Sequence, residues 1–450
     1  MRRKVTRRDF MKGAAIIAAS GLLAGCSGGE GPAAPDNSEQ PGTSEKPAES
    51  NSNSSSSSES ESTSSSKPEE TNGIKWTYSK NSDGTITLKG YDKNAEKVPS
   101  GELIIPEKYD GYTVSAVGYQ CLYGNKDIES VIISDAVQKI DQGAFQNCTN
   151  LTSVSLPEGL KEIGYYAFKC SNLDEITLPA SLTKVGNYAF DEIASLASVV
   201  VKGKTTFGEG AFYKCQSLSI VVFQNSIREL PALMFYACKN LQNVSLPSDL
   251  RTMGNRVFMD CALLDNVQLP NTLTAMGSEI FRGCAALGTI EIPADVTELK
   301  SAAFEECTSL TKVTISENLK ILRDRVFNGC SALQMIKLPA RMSTIEYGAF
   351  ARCTVLKKMA LPEGLTQISS SMFAQCKSMT EIYIPGTVVT VGKDAFDRCA
   401  QLNKTYFGGT EEMWNNIVID ASTSYGSTGN KYLTTDIMNR YWNQTAASIV

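Results

Sequence analysis

No histidine occurs in the 450 residues of the chain. That absence removes Ser-His-Asp and Cys-His catalysis, histidine general bases and most zinc sites. No P-loop, GxSxG or HExxH pattern is present. There is no Cys-x-x-Cys pair either, so thirteen cysteines lack the usual spacing of a thiolate metal site. A basic stripe is also missing. The formal net charge of −5 divides into +5 over residues 1–26, −7 over 27–72 and −3 over the remainder. A near-neutral body argues against nucleic acid as a partner.

The first 26 residues read as a targeting segment rather than as part of the fold. Arg2, Arg3, Lys4, Arg7 and Arg8 form a positive n-region, and Gly13–Ala24 is an apolar stretch too short to span a bilayer. Leu23-Ala24-Gly25-Cys26 then resembles the bacterial lipoprotein lipobox, which implies lipidation of Cys26. Thr6-Arg7-Arg8-Asp9-Phe10-Met11-Lys12 resembles a twin-arginine export signal, with general secretion the alternative route. Residues 27–72 are rich in Ser, Glu and Pro and almost devoid of apolar side chains. Such a segment cannot offset its ordering entropy by burial, so a disordered spacer is expected. As a flexible coil it would span roughly 35–40 Å.

From about Lys75 the composition changes, and one phrase recurs: A-F-x-x-C-x-x-L-x-x-[VI]-x-[LI]-P-x-x-L-x-x-[IVLM]-G. Phe145, Phe168, Phe190, Phe212, Phe235, Phe258, Phe281, Phe304, Phe327, Phe350, Phe373 and Phe396 mark its register, 23 residues apart except for 22 on either side of Phe190. Leu122 begins a degenerate first copy. In the Phe235 copy, Val244-Ser245-Leu246 alternates as a half-buried strand does, and Pro247 ends it. Leu250–Met253 predicts a short return, with Gly254 permitting the corner. One copy cannot bury its apolar set alone; stacking about thirteen of them does, with parallel strands about 4.8 Å apart.

The recurrent AFxxCxxL, the VxLP strand end and the LxxIG return resemble the BspA-like, Treponema pallidum-type leucine-rich repeats. The resemblance implies a β-rich, right-handed leucine-rich-repeat solenoid with about thirteen repeats of 22–23 residues, and a role in surface binding or adhesion. It divides the body into an N-terminal β cap (73–118), repeats (119–410) and a C-terminal cap (411–450), the last containing Trp414.

Ten cysteines follow the phenylalanine by three residues, Cys170 follows by two, and Ile193 takes the slot in the Phe190 copy. An isoleucine there predicts a slot for a small hydrophobe, which free cysteine can fill. Disulfides or a metal site remain alternatives, although stacked side chains point in parallel rather than toward each other. Cys121, off the pattern and near an end, is the thiol expected to be exposed.

No copy between Phe145 and Phe396 exceeds 23 residues, leaving no insertion for a catalytic loop. Glu305-Glu306 and Glu411-Glu412 read as solvated turn residues. The expectation is therefore a non-enzyme without cofactor or metal. Two binding regions stand out among the outward strand positions. Val200, Ile220 and Val222 would form an apolar patch. Lys312, Met335, Lys337, Lys358, Tyr383, Lys404 and Tyr406 would form a basic-aromatic strip. The expected protein is exported, lipid-anchored to the bacterial cell membrane and exposed at the surface. Its expected partners are an extracellular protein or glycan and, through the anchor, the membrane. The alternatives are an envelope scaffold or an accessory that captures glycans.

Overall fold

The structure, a computed structural model, describes residues 73–434 and 438–449. The leader with Cys26 and the spacer 27–72 lie outside the described residues. The body is a leucine-rich-repeat β-solenoid of about 13 turns with little helix.

Most coils carry three ladders. In the Phe235 copy, strand Asn243–Ser245 turns Val244 into the core and Asn243 and Ser245 outward. It pairs in parallel with Ile220–Val222 of the preceding coil. The return strand Thr252–Met253 pairs with Glu229–Leu230 below and Ala275–Met276 above. The turn between them is a ladder as well: the Phe235 amide donates to Val257 at 3.0 Å and the Ala237 amide to Met259 at 2.8 Å. In this coil backbone polar groups on all three faces are thus paired with neighbouring coils, as burial requires.

This turn depends on a backbone conformation that the repeat pattern does not advertise. The residues two before and two after each phenylalanine have positive φ, as at Leu233 (60°) and Ala237 (54°), or Arg325 (55°) and Gly329 (77°). Glycine fills only some of these left-handed positions; Tyr166, Tyr188, Ala302 and Ser371 fill others. Gly254, by contrast, is not among the positive-φ residues. It is required because coils approach closely there: a Cβ on Gly254 would lie 2.5 Å from the Ala232 nitrogen. The expected corner is therefore a point of backbone contact.

The twelve phenylalanines are buried and stack into one column, with ring centroids 5.1 to 5.8 Å apart in successive pairs. Their planes lie within 26° of parallel. Each stacked pair adds about 0.5–1.5 kcal/mol beyond burial.

The two ends of the column are closed differently. At the start, Trp76–Lys80 and Ile86–Tyr91 form an antiparallel hairpin, and Ile86–Tyr91 hands over to parallel pairing with Tyr112–Val117. At the far end, helix Glu411–Asn415 buries Trp414 edge-on against Phe407, 5.3 Å between centroids. The open edge of the last turn is satisfied by side chains. Asn430 accepts from the Phe396 amide at 3.1 Å and donates to Gly392 at 3.0 Å. A solenoid end exposes such groups unless something pairs them.

Candidate binding surface

The cysteines belong to the core. All twelve described ones are free, and all but Cys170 are buried. Cys121, expected to be exposed, is 4% exposed. It lies inside the first coil, and the half-buried thiol is instead Cys170, displaced by the one-residue shortening of its copy. The slot is more than a hydrophobic fit. Cys238 donates its thiol to the Phe212 carbonyl at 3.2 Å, and Cys261 to Phe235 at 3.1 Å. The same relation recurs up the column as far as Cys399 and Phe373. Burial pushes the thiols up, that of Cys148 to about 12. Among the described residues no group of three or more His, Cys, Asp or Glu is placed to hold a metal.

The outward strand positions align in columns. Thr177, Val200, Val222 and Ser245 share one, as do Ala360, Tyr383, Tyr406 and Tyr441. The expected apolar patch does not form. Val200 is 7% exposed, because its short side chain is shaded by its register neighbours, and the whole strand Ser198–Val201 is buried. Ile220 and Val222 are only half-buried remnants of that patch.

The basic-aromatic strip divides in two. Tyr383 is 1% exposed rather than outward-facing. Its hydroxyl donates to Glu363 at 2.6 Å, and Gly408 leaves room for it: a Cβ there would lie 2.7 Å from the Tyr383 oxygen. Tyr406 is half-buried and stacks on Tyr441 at 5.0 Å. Lys358 and Lys404 both pair with Glu381, each at 3.4 Å, so their charge is partly neutralised. Lys312, Met335 and Lys337 do stand exposed, Met335 by 73%. Neither Lys312 nor Lys337 has an ion pair among the described residues. Met335 also sits where the strand face is interrupted: pairing is made by Lys312–Thr314 and resumes at Lys358–Ala360.

The acid pairs differ from expectation in one respect. Glu305 is not a solvated turn residue; it is buried, pairs with Arg282 at 3.1 Å and accepts from Asn328 at 2.9 Å. Glu306 stays exposed and pairs with Arg352 at 3.3 Å. Glu411 and Glu412 occupy the first turn of helix Glu411–Asn415, where the helix dipole favours acids. Every buried carboxylate in these pairs has a structural partner.

An aromatic row that the strand-face reading missed lies on the phenylalanine-turn face of the N-terminal half. Tyr165 and Tyr166, then Tyr188, Tyr213 and Tyr236 follow one another across four coils. Tyr166 and Tyr188 lie 5.7 Å apart, Tyr188 and Tyr213 5.7 Å, and Tyr213 and Tyr236 4.8 Å. The signal was available: these tyrosines directly flank the register phenylalanines, at two or three residues before or one after.

The comparisons with known proteins agree with this architecture. Residues 115–230, 195–311 and 274–403 match the BspA type leucine rich repeat region. A leucine-rich repeat protein from Bacteroides ovatus is 25% identical with a TM-score of 0.63, over 82% of this chain and 98% of that one. A leucine rich cell surface protein from Faecalibacterium prausnitzii is 25% identical with a TM-score of 0.47, over 77% and 97%. The T. pallidum leucine rich repeat protein is 28% identical with a TM-score of 0.38, over 47% and 87%. No curated protein matches. Repeats of this type typically bind rather than catalyse. The unbroken phenylalanine column, the three parallel ladders and the family match together place the chain in the BspA-type leucine-rich-repeat family.

Proposed function

We propose that the protein is a non-catalytic binding solenoid, exported and held at the bacterial cell surface by a lipid on Cys26, which takes an extracellular protein ligand on its strand face. One observation carries the reading: Met335 is 73% exposed, Lys337 follows it by two residues and Lys312 precedes it by one repeat, and neither lysine has an ion pair among the described residues. An exposed methionine beside uncompensated charge at an interruption of the ladder is poorly explained by folding. It suits a contact in which the thioether is covered and the ammonium groups meet acidic side chains. The spacer would hold this face away from the membrane.

The test has two arms. Cys26→Ala should release the protein from the membrane fraction into the medium; retention in the membrane overturns the anchor. Purified full chain would be assayed against an immobilised panel of acidic extracellular matrix proteins and against isolated cell walls. Met335→Asp and Lys337→Glu should each weaken capture at least tenfold while the thermal transition is unchanged. Equal capture by the variants overturns the strand face as the site, and capture by cell walls alone turns the reading toward an envelope scaffold.

A further inference from the structure

We infer that the tyrosine row on the phenylalanine-turn face is a second binding site, and that its ligand is an uncharged linear glycan. The inference rests on reading the chain as a binding protein, but it uses a different face from the one proposed above.

The row differs from the phenylalanine column it runs beside. The buried rings are all close to parallel, whereas Tyr188 stands at 84° to Tyr165 and 77° to Tyr213. Tyr213 and Tyr236, by contrast, stack at 8°, so the row changes from edge-to-face to parallel packing along its length. Tyr165 is 37% exposed, and Tyr166, Tyr188, Tyr213 and Tyr236 are half-buried, so the rings are held yet accessible. Two are further fixed by lysines: the Lys169 ammonium lies 4.9 Å from the Tyr166 ring and that of Lys214 5.1 Å from the Tyr213 ring. Rigid, amphipathic rings give contact area at low entropic cost.

Charge selects the ligand class. Lys169 pairs with Asp191 and, at 3.1 Å, with Glu192; Lys214 pairs with Glu192 at 3.4 Å; Tyr188 donates to Glu209 at 3.3 Å. Two ammonium groups thus face three carboxylates within the row, and Arg256 and Asp260 near Tyr236 add one charge of each sign. A slightly negative strip repels a polyanion. A protein partner would have to bury these interleaved charges, whereas the cores of protein interfaces are depleted in them. A pyranose chain meets both demands: its C–H faces pack on phenol rings, and its hydroxyls replace the water around the ammonium and carboxylate groups. Beyond the Tyr165–Tyr166 pair the row is one ring wide, and it advances by one coil, about 4.8 Å, per step. An extended glycan likewise advances by a comparable distance per sugar.

The experiment titrates the full chain with cellohexaose and chitohexaose, and with hyaluronan oligosaccharide as the charged control. Calorimetry reads affinity, and the ultraviolet difference spectrum of the wild type reads tyrosine perturbation without any variant. The expected result is binding of an uncharged oligosaccharide with a tyrosine difference signal. Tyr188→Ala or Tyr213→Ala should weaken it at least tenfold, Tyr213→Phe by no more than threefold, and Met335→Asp not at all. Binding without a tyrosine signal, preference for hyaluronan, or unchanged affinity in folded Tyr188→Ala and Tyr213→Ala would overturn the inference. No oligosaccharide binding, with protein capture on the strand face intact, overturns this inference and leaves the other standing. A protein ligand lost on Tyr213→Ala would replace the glycan with a protein at this site.

Discussion

The thiol of Cys261 donates to the carbonyl of Phe235 at 3.1 Å, and that same carbonyl accepts the amide of Cys238 at 3.2 Å. One acceptor therefore closes the turn of its own coil and receives a side chain from the next. The cysteine is at once packing and a link between coils. Cys261→Ala should destabilise the chain by about 1–2 kcal/mol, the sum of a small cavity and a lost hydrogen bond. Cys261→Ser keeps a donor and should recover part of that loss. Urea unfolding by circular dichroism checks both; an alanine variant as stable as the parent would show that the thiol contact contributes nothing.

The Phe190 copy is a natural control. Ile193 stands in the slot, so the Phe168 carbonyl keeps only the Ser171 amide, at 3.1 Å. The displaced Cys170 is half-buried and faces Glu192 at 3.7 Å. With Cys26→Ser as background, Cys170 should be the one thiol that reacts with Ellman's reagent in the folded protein. The other eleven should appear on denaturation. Several fast-reacting thiols in the native state would contradict their placement in the core, and thiols recovered only with reductant would mean disulfides.

Left-handed backbone positions give a prediction of opposite signs. Ser371 holds φ at 56° without a glycine, whereas Gly329 holds 77° with one. A non-glycine residue in this region costs about 1–2 kcal/mol, part of which glycine gives back through unfolded-state entropy. Ser371→Gly should therefore stabilise by about 0.5 kcal/mol and Gly329→Ala destabilise by about 1 kcal/mol. Thermal unfolding of the pair decides it, and a Gly329→Ala variant at least as stable as the parent would refute the turn geometry.

These positions also show where the sequence stops being readable. The phenylalanine period, the alternation at Val244-Ser245-Leu246 and the proline after it are local patterns, and each maps directly onto a ladder. The paired left-handed residues do not, because inter-coil hydrogen bonds hold Leu233 or Arg256 in a conformation their own propensity opposes. The surface was less legible still. Alternation says that Tyr383 points out of the strand, but not that it then folds down toward Gly408 and Glu363. It says the same of Val200, but not that its neighbours shade it. Exposure on a solenoid depends on which side chains stand one coil above and below. The tyrosine row could be seen only by counting along the column rather than along the chain.

Burial of the thiols sets a pH limit on the fold. Cys148, Cys353 and Cys399 are each pushed up to about 12, and Cys215, Cys238, Cys284, Cys330 and Cys376 are raised well above the ordinary thiol value, in every case chiefly by desolvation. An unfolded thiol ionises near about 8.5. Below that pH both states hold the proton, and the contribution to stability is complete. Above it the unfolded chain has released protons that the folded chain keeps, so stability falls as pH rises, until the folded thiols themselves ionise near 12. Each thiol contributes a slope of up to about 1.4 kcal/mol per pH unit. Several in one column should make the urea midpoint drop steeply between about pH 8.5 and 10. Cys261→Val, which copies the apolar solution found at Ile193, should remove about one thiol's share of that slope. A midpoint flat across this interval would mean that the unfolded coils never expose their cysteines to water, and that unfolding in a quasi-one-dimensional repeat begins elsewhere along the column.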